Sequence, residues 1–373
     1  MSTAPRVVIV GAGPAGVRAA EALVQSGLRP VLVEEGERDG GQAYRRAPPG
    51  FTRTSAERYG ADAPKADAVH AAFDALRPHV DHRPLTLAWN VAPRELHVVH
   101  DGQAQVLPFD ALIVASGATD RLLPVPGWHR AGCYSLGGAQ VALKAQACAV
   151  GARTAFVGTG PLLYLVAWQY LKAGAGVAAV LDTAPRRKSL AAVRGLLERP
   201  RLAWRGLAMV RALRRAGVPV LNGVRPQQID GDDAAGVTGI TVREASGRTR
   251  RIDADAVALG WHLRPETQLA DLAGCAFDFD PLTRQWLPQL DADGRSSVLG
   301  VYLVGDGARL LGADGAEASG RLAALAVLAD LGVAPDRHAL EAPALHARLA
   351  RLRRFRDGLA HAFPWPRGVA RDW

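Results

Sequence analysis

The sequence has 373 residues, 49% of them hydrophobic and 22% charged, a composition typical of globular proteins and a length that allows two or three domains. Lysine and arginine together number 45 against 36 acidic residues, which gives a formal net charge of +9. A basic surface can bind nucleic acid, anionic lipid or an acidic protein. Because no nucleic-acid-binding module is recognised, we expect no nucleic-acid partner and favour an acidic protein.

Three cysteines, Cys133, Cys148 and Cys275, are scattered along the chain without a C-x-x-C pair. This spacing argues against a redox dithiol, a zinc site or the ligand set of an iron–sulfur cluster, and it fits a reduced, cytoplasmic protein. The N-terminus leads directly into an apolar strand and carries no secretory signal. Residues 162–181 are apolar, but polar residues and glycines interrupt them, so we expect no transmembrane segment.

The first part of the chain predicts a strand–turn–helix–strand unit. Residues 6–10 form a short apolar strand, residues 15–25 a helix, and residues 30–34 a second strand. Residues 40–66 are rich in Gly, Pro and Arg and predict a loop, and residues 66–77 predict a helix. Such a βαβ unit is typical of a parallel sheet in an α/β protein.

A second unit of the same kind lies further along the chain. Residues 154–157 and 177–181 predict its two strands, joined by a glycine-rich turn and a helix that ends near residue 172. Residues 185–217 form a long basic insert that is predicted to be helical, and two or three short strands are expected between residues 218 and 259.

Two more buried strands and a C-terminal helix complete the pattern. Residues 109–116 and 298–304 predict strands, and a helix of small residues follows the second of them to about residue 331. Residues 343–363 place apolar side chains on one stripe of a helix, with arginines elsewhere. The stripe consists of Leu345, Leu349, Leu352, Phe355, Leu359 and Phe363.

The turn Gly11–Gly16 has the spacing G-x-G-x-x-G between a strand and a helix. The first glycine allows a tight turn, the second lets the backbone approach a pyrophosphate at the helix N-terminus, and the third lets helix and strand pack closely. Glu34 ends the next strand 18 residues after Gly16, where an acid accepts hydrogen bonds from a ribose. The pattern therefore predicts a dinucleotide site. Its candidate residues are Gly11, Gly13, Pro14, Ala15, Gly16, Glu34 and Glu35.

Two later turns follow the buried strands. Ser116 and Gly117 end the first of these strands, where a glycine lets the chain leave the sheet beside a bound nucleotide, although an ordinary strand-end turn is the alternative. Gly305 and Asp306 follow the second. A carboxylate there can hold a ribityl hydroxyl, and the next helix N-terminus can stabilise negative charge on a reduced flavin. The alternative role for Asp306 is to cap that helix.

Together these segments resemble the pyridine nucleotide-disulfide oxidoreductase superfamily. The matching residues are the Gly11–Gly16 turn, Glu34, the Ser116-Gly117 turn and Gly305-Asp306. The resemblance implies an α/β fold of the glutathione and thioredoxin reductase type, with two nested Rossmann-like FAD/NAD(P)-binding domains, plus a C-terminal helix. The redox dithiol of that family is missing, so we expect no disulfide reductase activity.

Further stretches are similar to the larger, alpha-type subunit of opine oxidase, hydrogen cyanide synthase and hydroxyproline or proline dehydrogenase complexes. This similarity covers nearly the whole chain. The matching stretches are Gly40–Arg45, Ser116–Pro124, Pro126–Trp128, Leu136–Gln140, Gly158–Tyr164, Glu266–Asp271 and Asp291–Ser297. The first of them adds Gly41 and Gln42 to the candidate residues for a non-covalent FAD.

The closer resemblance implies an electron-transfer subunit. In those complexes a separate glycine-oxidase-like FAD subunit oxidises the C–N bond of the amino acid, and the subunit similar to this chain carries electrons onward. Longer members continue into a cysteine-rich segment that holds a [2Fe-2S] cluster. Since this sequence lacks those cysteines, we expect no iron–sulfur cluster in the chain. The cluster is then either absent or supplied by a separate small subunit, as in the cyanide synthase type. We expect a hetero-oligomer that includes a small [2Fe-2S] subunit together with a glycine-oxidase-like FAD subunit.

The second glycine-rich turn departs from the dinucleotide pattern, because Leu163 stands where a third glycine would be. Asp182 ends the following strand and could hold an adenosine ribose, which would favour NAD over NADP, whereas the basic run Arg186–Lys188 could meet a phosphate. Gly158, Gly160 and Asp182 are therefore candidates for binding NAD(H), ATP or ADP. A vestigial fold that binds no nucleotide is the alternative.

No catalytic residue is recognised, because no Ser/His/Asp set or carboxylate pair stands out. His262, beside Trp261 after a strand, could approach the flavin, and a packed or surface histidine is the alternative. Three function hypotheses remain: an FAD-dependent electron-transfer subunit, a stand-alone NAD(P)H-dependent flavoprotein reductase, and a non-enzymatic nucleotide-sensing scaffold. The expected segments are 1–122 and 259–335 for the FAD domain, 123–258 for the inserted domain and 336–373 for the helical tail.

Overall fold

The computed structural model describes residues 4–185 and 189–366, which divide into two compact units. The first unit takes the chain up to Ala118 together with Arg264–Asp280 and Gln285–Arg353. The second unit takes Thr119–Leu263, Pro281–Arg284 and the described residues from Arg354 onward. Each unit therefore draws on distant parts of the sequence. The finer boundaries given above stay a prediction.

Ten α-helices lie within the described residues. In chain order they are α1 Pro14–Val24, α2 Ser55–Tyr59, α3 Ala63–Leu76, α4 Leu136–Ala145, α5 Pro161–Lys172, α6 Leu190–Leu197, α7 Pro200–Arg215, α8 Gln268–Leu272, α9 Ala313–Asp330 and α10 Pro335–Ala362. Short 3-10 helices occupy Gly60–Asp62, Arg77–His79 and Gly305–Gly307.

Twenty strands lie in the same part of the chain. The first ten are β1 Val7–Val10, β2 Val31–Val33, β3 Asp81–Arg83, β4 Thr86–Ala92, β5 Glu95–His100, β6 Gln103–Pro108, β7 Ala111–Val114, β8 Ala118–Asp120, β9 Cys133–Ser135 and β10 Arg153–Thr159. The others are β11 Gly176–Asp182, β12 Val220–Asn222, β13 Arg225–Asp232, β14 Gly236–Arg243, β15 Thr249–Asp253, β16 Ala256–Trp261, β17 Leu263–Pro265, β18 Phe277–Asp280, β19 Gln285–Pro288 and β20 Val301–Leu303.

The first unit is built on a parallel sheet in the order β20-β7-β1-β2-β3. Because successive side chains of a strand point to opposite faces, Val7 and Ile9 pack into one core cluster with α1, α3 and α9. Val8 and Val10 pack into a second cluster on the other face, with the antiparallel sheet β4-β5-β6. Both faces of the sheet are buried at β1 and β7, which is why these strands are continuously apolar, whereas the edge strand β3 is polar and half-buried.

The second unit repeats this plan. Its parallel sheet has the order β12-β11-β10-β16-β9. One face packs on α4, α5 and α7 through Phe156 and Tyr170, and the other packs on the antiparallel sheet β13-β14-β15. Two layered α/β units therefore arise from the two βαβ patterns predicted by the sequence.

Several element boundaries differ from the sequence predictions. The predicted loop 40–66 contains α2, whose start is a capping box in which Thr54 and Glu57 each accept the other's backbone N–H. The predicted strand 298–304 shortens to β20, because Val301 N–H bonds back to Val298 C=O and Gly300 has a φ of +79°. Five strands, β12 to β16, replace the expected two or three.

The C-terminal helix is also longer than predicted. α10 begins at Pro335 and carries Pro343 inside it. Its apolar stripe is not exposed, since Leu349, Leu352 and Phe355 are each buried. In the described part of the chain, no helix is both long and apolar enough to cross a membrane.

Candidate functional site

The predicted flavin segments all follow strands of the first sheet at their carboxyl ends. Gly11 follows β1, Ser116 comes shortly after β7, and Gly305 comes shortly after β20. The chain passes from β1 to β2 on one side, while β7 lies on the other side of β1. Such a switch in strand order opens a crevice at the carboxyl edge, where open α/β sheets bind ligands.

Close contacts bring these segments together. A Cβ atom added to Gly307 would lie 2.6 Å from the Ser116 hydroxyl, and one added to Gly305 would lie 3.0 Å from Ala15 Cβ. The Gly305 N–H donates to the Ser319 hydroxyl of α9 at 2.9 Å, which fixes this turn against the helix that follows it. The sequence motifs therefore meet at one place in the first unit.

Gly11 and Gly16 are required by the protein itself. An added Cβ at Gly16 would lie 1.8 Å from Gly11 C=O, and one at Gly11 would lie 2.5 Å from Ala115 C=O. Gly11 also has a φ of +101°, a conformation that residues with a side chain rarely adopt. These two glycines let α1 approach β1 and β7.

Gly13 is different, because the protein around it does not require a glycine. Its φ is −75°, and an added Cβ would meet only Gly41 Cα at the ordinary contact distance of 3.6 Å. Gly13 precedes Pro14 at the start of α1, which has no side-chain cap and no acid in its first turn. Open space before an uncapped helix N-terminus fits the pyrophosphate of a dinucleotide.

Glu34 lies beside this turn. Its carboxyl oxygens accept the backbone N–H groups of Ala12 at 2.6 Å and Gly36 at 2.8 Å. Burial raises the pKa of Glu34, and those two hydrogen bonds oppose the shift. Since each oxygen has further acceptor capacity, Glu34 can also receive ribose hydroxyls. Glu35 is exposed.

The segment after Glu34 folds back over the glycine turn. Gly40 N–H bonds to Ala12 C=O at 2.9 Å, and Gly41 lies against Gly13. Gln42 is exposed, and its side-chain oxygen accepts a hydrogen bond from Arg45 at 2.8 Å. Gly41 therefore lies against Gly13, whereas the side chain of Gln42 lies on the surface.

Asp306 organises the turn that leads into α9. One of its oxygens accepts the backbone N–H groups of Leu311 and Gly312, both at 2.8 Å. α9 begins at Ala313 with Gly312 at its N-cap and without a side-chain cap, so the alternative role of Asp306 as the helix cap is wrong. Asp306 instead fixes the chain just before the helix and keeps a partly buried carboxyl group beside this turn.

Ser116 and Gly117 are held by the chain near β17. The Ser116 hydroxyl donates to Glu266 C=O at 2.6 Å, and Glu266 N–H donates to Gly117 C=O at 2.9 Å. Gly117 has a φ of +76° and no atom within 4 Å of an added Cβ. The glycine is therefore needed for the turn, and the space beside it is open.

The second unit has a similar turn with different surroundings. Gly158 approaches β16 so closely that an added Cβ would lie 1.7 Å from Gly260 C=O. Gly160 precedes Pro161 at the start of α5, which also lacks a side-chain cap and a first-turn acid. In contrast to Gly13, however, an added Cβ on Gly160 would lie 3.1 Å from the ring of His262.

Asp182 is fully buried and engaged inside the unit. It accepts hydrogen bonds from the hydroxyls of Thr159 at 2.8 Å and Tyr164 at 2.6 Å, and from Ala184 N–H at 2.8 Å. Burial, and then the neighbouring Asp182, raise the pKa of Tyr164, so its hydroxyl stays a donor. A ribose could reach Asp182 only if this network opened, so the geometry favours a structural role over the predicted nucleotide contact.

His262 is packed against the C-terminal segment of its own unit. Its Nε2 lies 2.6 Å from Phe363 C=O, the Phe363 ring contacts Tyr164 of α5, and the Arg121 guanidinium lies 3.5 Å from the Trp365 ring centroid. Burial, with Arg356 and Arg121, lowers the pKa of His262 to about 4, so the ring is neutral. This is the packed alternative considered for His262. The basic run Arg186–Lys188 lies outside the described residues.

Sequence reasoning misses two contributors to the site. Ala12 supplies a backbone N–H to Glu34, and Gly307 must lack a side chain to fit beside Ser116. The repeated glycine in Gly305-Asp306-Gly307 is the signal that could have identified the second. Among the described residues, no group of three or more His, Cys, Asp or Glu side chains is placed to hold a metal ion.

Comparison with known proteins gives a family match over most of the chain. The model of the family "Pyridine nucleotide-disulphide oxidoreductase" matches residues 5–327. The A subunit of opine oxidase from Agrobacterium tumefaciens (strain Ach5) is 36% identical over 369 residues, covering 95% of this chain and 71% of that protein. Hydrogen cyanide synthase subunit HcnB of Pseudomonas protegens (strain DSM 19095 / LMG 27888 / CFBP 6595 / CHA0) is 32% identical over 94% of this chain and 76% of its own length.

Solved structures confirm the predicted fold class. Thioredoxin reductase from T. acidophilum superimposes with a TM-score of 0.64 at 20% identity, over 87% of this chain and 98% of that one. L-proline dehydrogenase from P. horikoshii superimposes with a TM-score of 0.62 at 17% identity, over 90% of this chain and 58% of that one. The fold is thus that of FAD/NAD(P)-binding oxidoreductases. The chain belongs to the pyridine nucleotide-disulphide oxidoreductase family.

Proposed function

We propose that this oxidoreductase is the FAD-dependent electron-transfer subunit of a heteromeric amino-acid or opine dehydrogenase or oxidase, of the hydroxyproline, proline or glycine type. The proposal rests mainly on the open space at Gly13, before the N-terminus of α1, where the fold itself does not require a glycine. The match along 95% of the chain to one subunit of opine oxidase supports the heteromeric part.

In this proposal the residues of the first unit hold one non-covalent FAD. The backbone at Gly13 and the N-terminus of α1 receive the pyrophosphate, Glu34 receives the adenosine ribose, and Asp306 receives the ribityl chain. Bound FAD would supply a carrier that accepts two electrons and passes them on. The protein's own part is to bind and orient the group and to keep the helix N-termini directed at its negative charge.

The proposed division of labour leaves substrate oxidation to a glycine-oxidase-like partner. That subunit would remove two electrons and two protons from a CH–NH bond to give an imine, and the electrons would pass through this chain to a small [2Fe-2S] subunit. We propose a cytoplasmic location for the complex. The partners are inferred from the family resemblance.

We further propose that the second unit binds an adenine nucleotide only weakly. The space beside Gly160, which corresponds to the open space beside Gly13 in the first unit, is filled by side chains of the second unit itself. His262 lies against Gly160, and Phe363 lies against His262 and Tyr164. Exchanging His262 and Phe363 for alanine removes the rings beside Gly160 and Tyr164 and should strengthen binding of NADH, NADPH, ATP or ADP in calorimetric titrations. If the wild type and this variant bind none of the four, the vestigial interpretation holds.

The function is tested with the purified, FAD-loaded chain and an artificial electron acceptor. The substrates are glycine, D- and L-proline, hydroxyprolines and opines, with NADH and NADPH as separate additions. The proposal expects no turnover of any amino acid or opine until a glycine-oxidase-like subunit is added. Robust amino-acid oxidation by the chain alone would overturn it. Rapid turnover of NADH or NADPH alone would favour the stand-alone flavoprotein reductase.

A further inference from the structure

The positive charge of the protein is concentrated in one segment. Residues 183–217 contain ten lysines and arginines and a single acid, Glu198. Their net charge of +9 equals that of the whole chain, so the remaining residues sum to zero. The described part of this segment consists mainly of α6 and α7 in the second unit.

The same helices expose large apolar side chains. On α6, Leu190, Val193 and Leu197 recur at the spacing of one helical face, and on α7 Trp204 and Leu207 do the same. These five side chains are between 42% and 68% exposed. We call the exposed faces of these two helices the α6–α7 surface. An apolar surface of this kind normally marks a binding site.

Cations are interleaved with these apolar residues. Arg194 lies between Val193 and Leu197 in the exposed part of α6, and the Arg211 guanidinium lies 6.0 Å from the Trp204 ring centroid. The one acid of the segment, Glu198, is paired with Arg354 of α10 at 2.8 Å. The charge of this surface is therefore not neutralised by acids of its own segment.

We propose that the α6–α7 surface docks the protein on an anionic phospholipid membrane, with the two helices lying at the lipid surface and not crossing it. Helices that rest in a lipid interface combine Leu and Trp with abundant arginine, as this surface does. A protein interface instead separates an apolar centre from a polar rim. A second copy of this chain is disfavoured, because two surfaces of the same high charge repel each other.

The proposal is independent of the proposed function and is tested by sedimentation with sucrose-loaded vesicles. One set is pure phosphatidylcholine, and the other is phosphatidylcholine mixed with phosphatidylglycerol. We expect the wild-type holoprotein to sediment with the mixed vesicles at low salt, to sediment weakly with the neutral ones, and to be released by high salt, which screens the attraction.

Two sets of variants separate the contributions of charge and apolar contact. Replacing Arg194, Arg201, Arg211 and Arg215 with glutamine should weaken binding more than about tenfold, since each cation near an anionic surface adds about fivefold. The matched control variant replaces Arg53, Arg225, Arg243 and Arg248 with glutamine. These arginines are also exposed, so the control removes the same charge elsewhere.

Replacing Leu190, Leu197 and Trp204 with serine should also weaken binding. Its control replaces the similarly exposed Leu299, Leu340 and Trp286.

Unchanged FAD content and circular dichroism verify that each variant is folded, so a failure here is distinct from a failure to bind flavin. The proposal is overturned if the wild type stays in the supernatant with mixed vesicles, or if each variant binds like its control. It is also overturned if vesicles do not bind while the same serine substitutions break a purified complex with a glycine-oxidase-like subunit. That last result would assign the surface to a protein partner.

Discussion

At the residue scale, the glycines of the first turn have separable roles. Close backbone contacts within the protein leave no room for a side chain at Gly11 or Gly16, whereas the protein leaves room for one at Gly13. The sequence spacing predicts all three as a group, because the pattern is known to be needed for turn, ligand and packing. The distances to Ala115, Gly11 and Gly41 add the physical reason, because Gly11 and Gly16 lie too close to backbone atoms to carry a side chain, whereas Gly13 does not.

Asp306→Ala and Asp306→Asn should test the structural role of this carboxyl group in the turn before α9. Alanine removes the acceptor of the Leu311 and Gly312 N–H groups and should cost about 1–3 kcal/mol of unfolding free energy in the flavin-free protein. Asparagine keeps an acceptor oxygen and should cost less. Denaturant unfolding of both apo variants measures the difference. Equal stability of the alanine variant and the wild type would contradict the assigned hydrogen bonds.

Asp182→Ala should destabilise the second unit strongly. It leaves the hydroxyls of Thr159 and Tyr164 and the N–H of Ala184 without their buried acceptor, at a cost of about 2–4 kcal/mol. Asp233→Ala, at an exposed position, is the control. A loss below about 1 kcal/mol, together with weaker nucleotide binding, would instead assign Asp182 to a ligand.

His262 should make stability depend on pH. Its pKa is about 4 in the folded protein against an ordinary value of 6.5, so the unfolded chain binds a proton in this range while the folded chain does not. Stability should therefore fall as pH drops from about 6.5 to about 4, by about 3 kcal/mol, and level off below that. Unfolding free energies of wild type and His262→Gln across this range test the slope. His129→Gln, at an exposed site, should keep it.

At the element scale, the packing of α10 on α6 depends on a pair of glycines. A Cβ added to Gly358 would lie 2.5 Å from Gly195 Cα, so Gly358→Val should push the two helices apart at a cost of about 1–3 kcal/mol. Faster hydrogen exchange in residues 354–366 is the expected readout. Gly206→Val, in α7 where an added Cβ meets no atom within 4 Å, should leave that exchange unchanged. Unaltered exchange in Gly358→Val would refute the close crossing.

The elements that the sequence predicts best are those whose apolar pattern is continuous. β1, β7 and β10 are buried on both faces, and their runs of Val, Ile, Ala and Leu give a clear signal. The sequence pattern misses α2 because its helical signal is one capping box in a segment rich in glycine and proline. The start of α10 is misplaced because Pro343 is typical of a helix start, although the helix continues through it.

At the scale of the whole molecule, local sequence patterns predict the two α/β units. They do not predict which of the two glycine-rich turns has free space for a nucleotide beside it. Gly13 and Gly160 have similar sequence neighbours, and both precede a proline at the start of a helix. What distinguishes them is a long-range contact, since His262 and Phe363 come from segments more than 100 residues from Gly160. No local pattern encodes such a contact, so the second nucleotide site stays undecided at the level of sequence.

In the proposed function the first unit holds one FAD at Gly13, and flavin content measures this binding most directly. The absorbance of flavin released from the purified chain should correspond to one FAD per wild-type protein. Gly13→Ala should reduce it and Gly13→Val should abolish it, with the apo proteins folded as the wild type is, because the space at Gly13 admits a Cβ when no ligand is bound. Gly206→Ala should retain full flavin. A wild type that binds no FAD even with excess flavin, or a Gly13→Val variant that keeps it, would contradict the account.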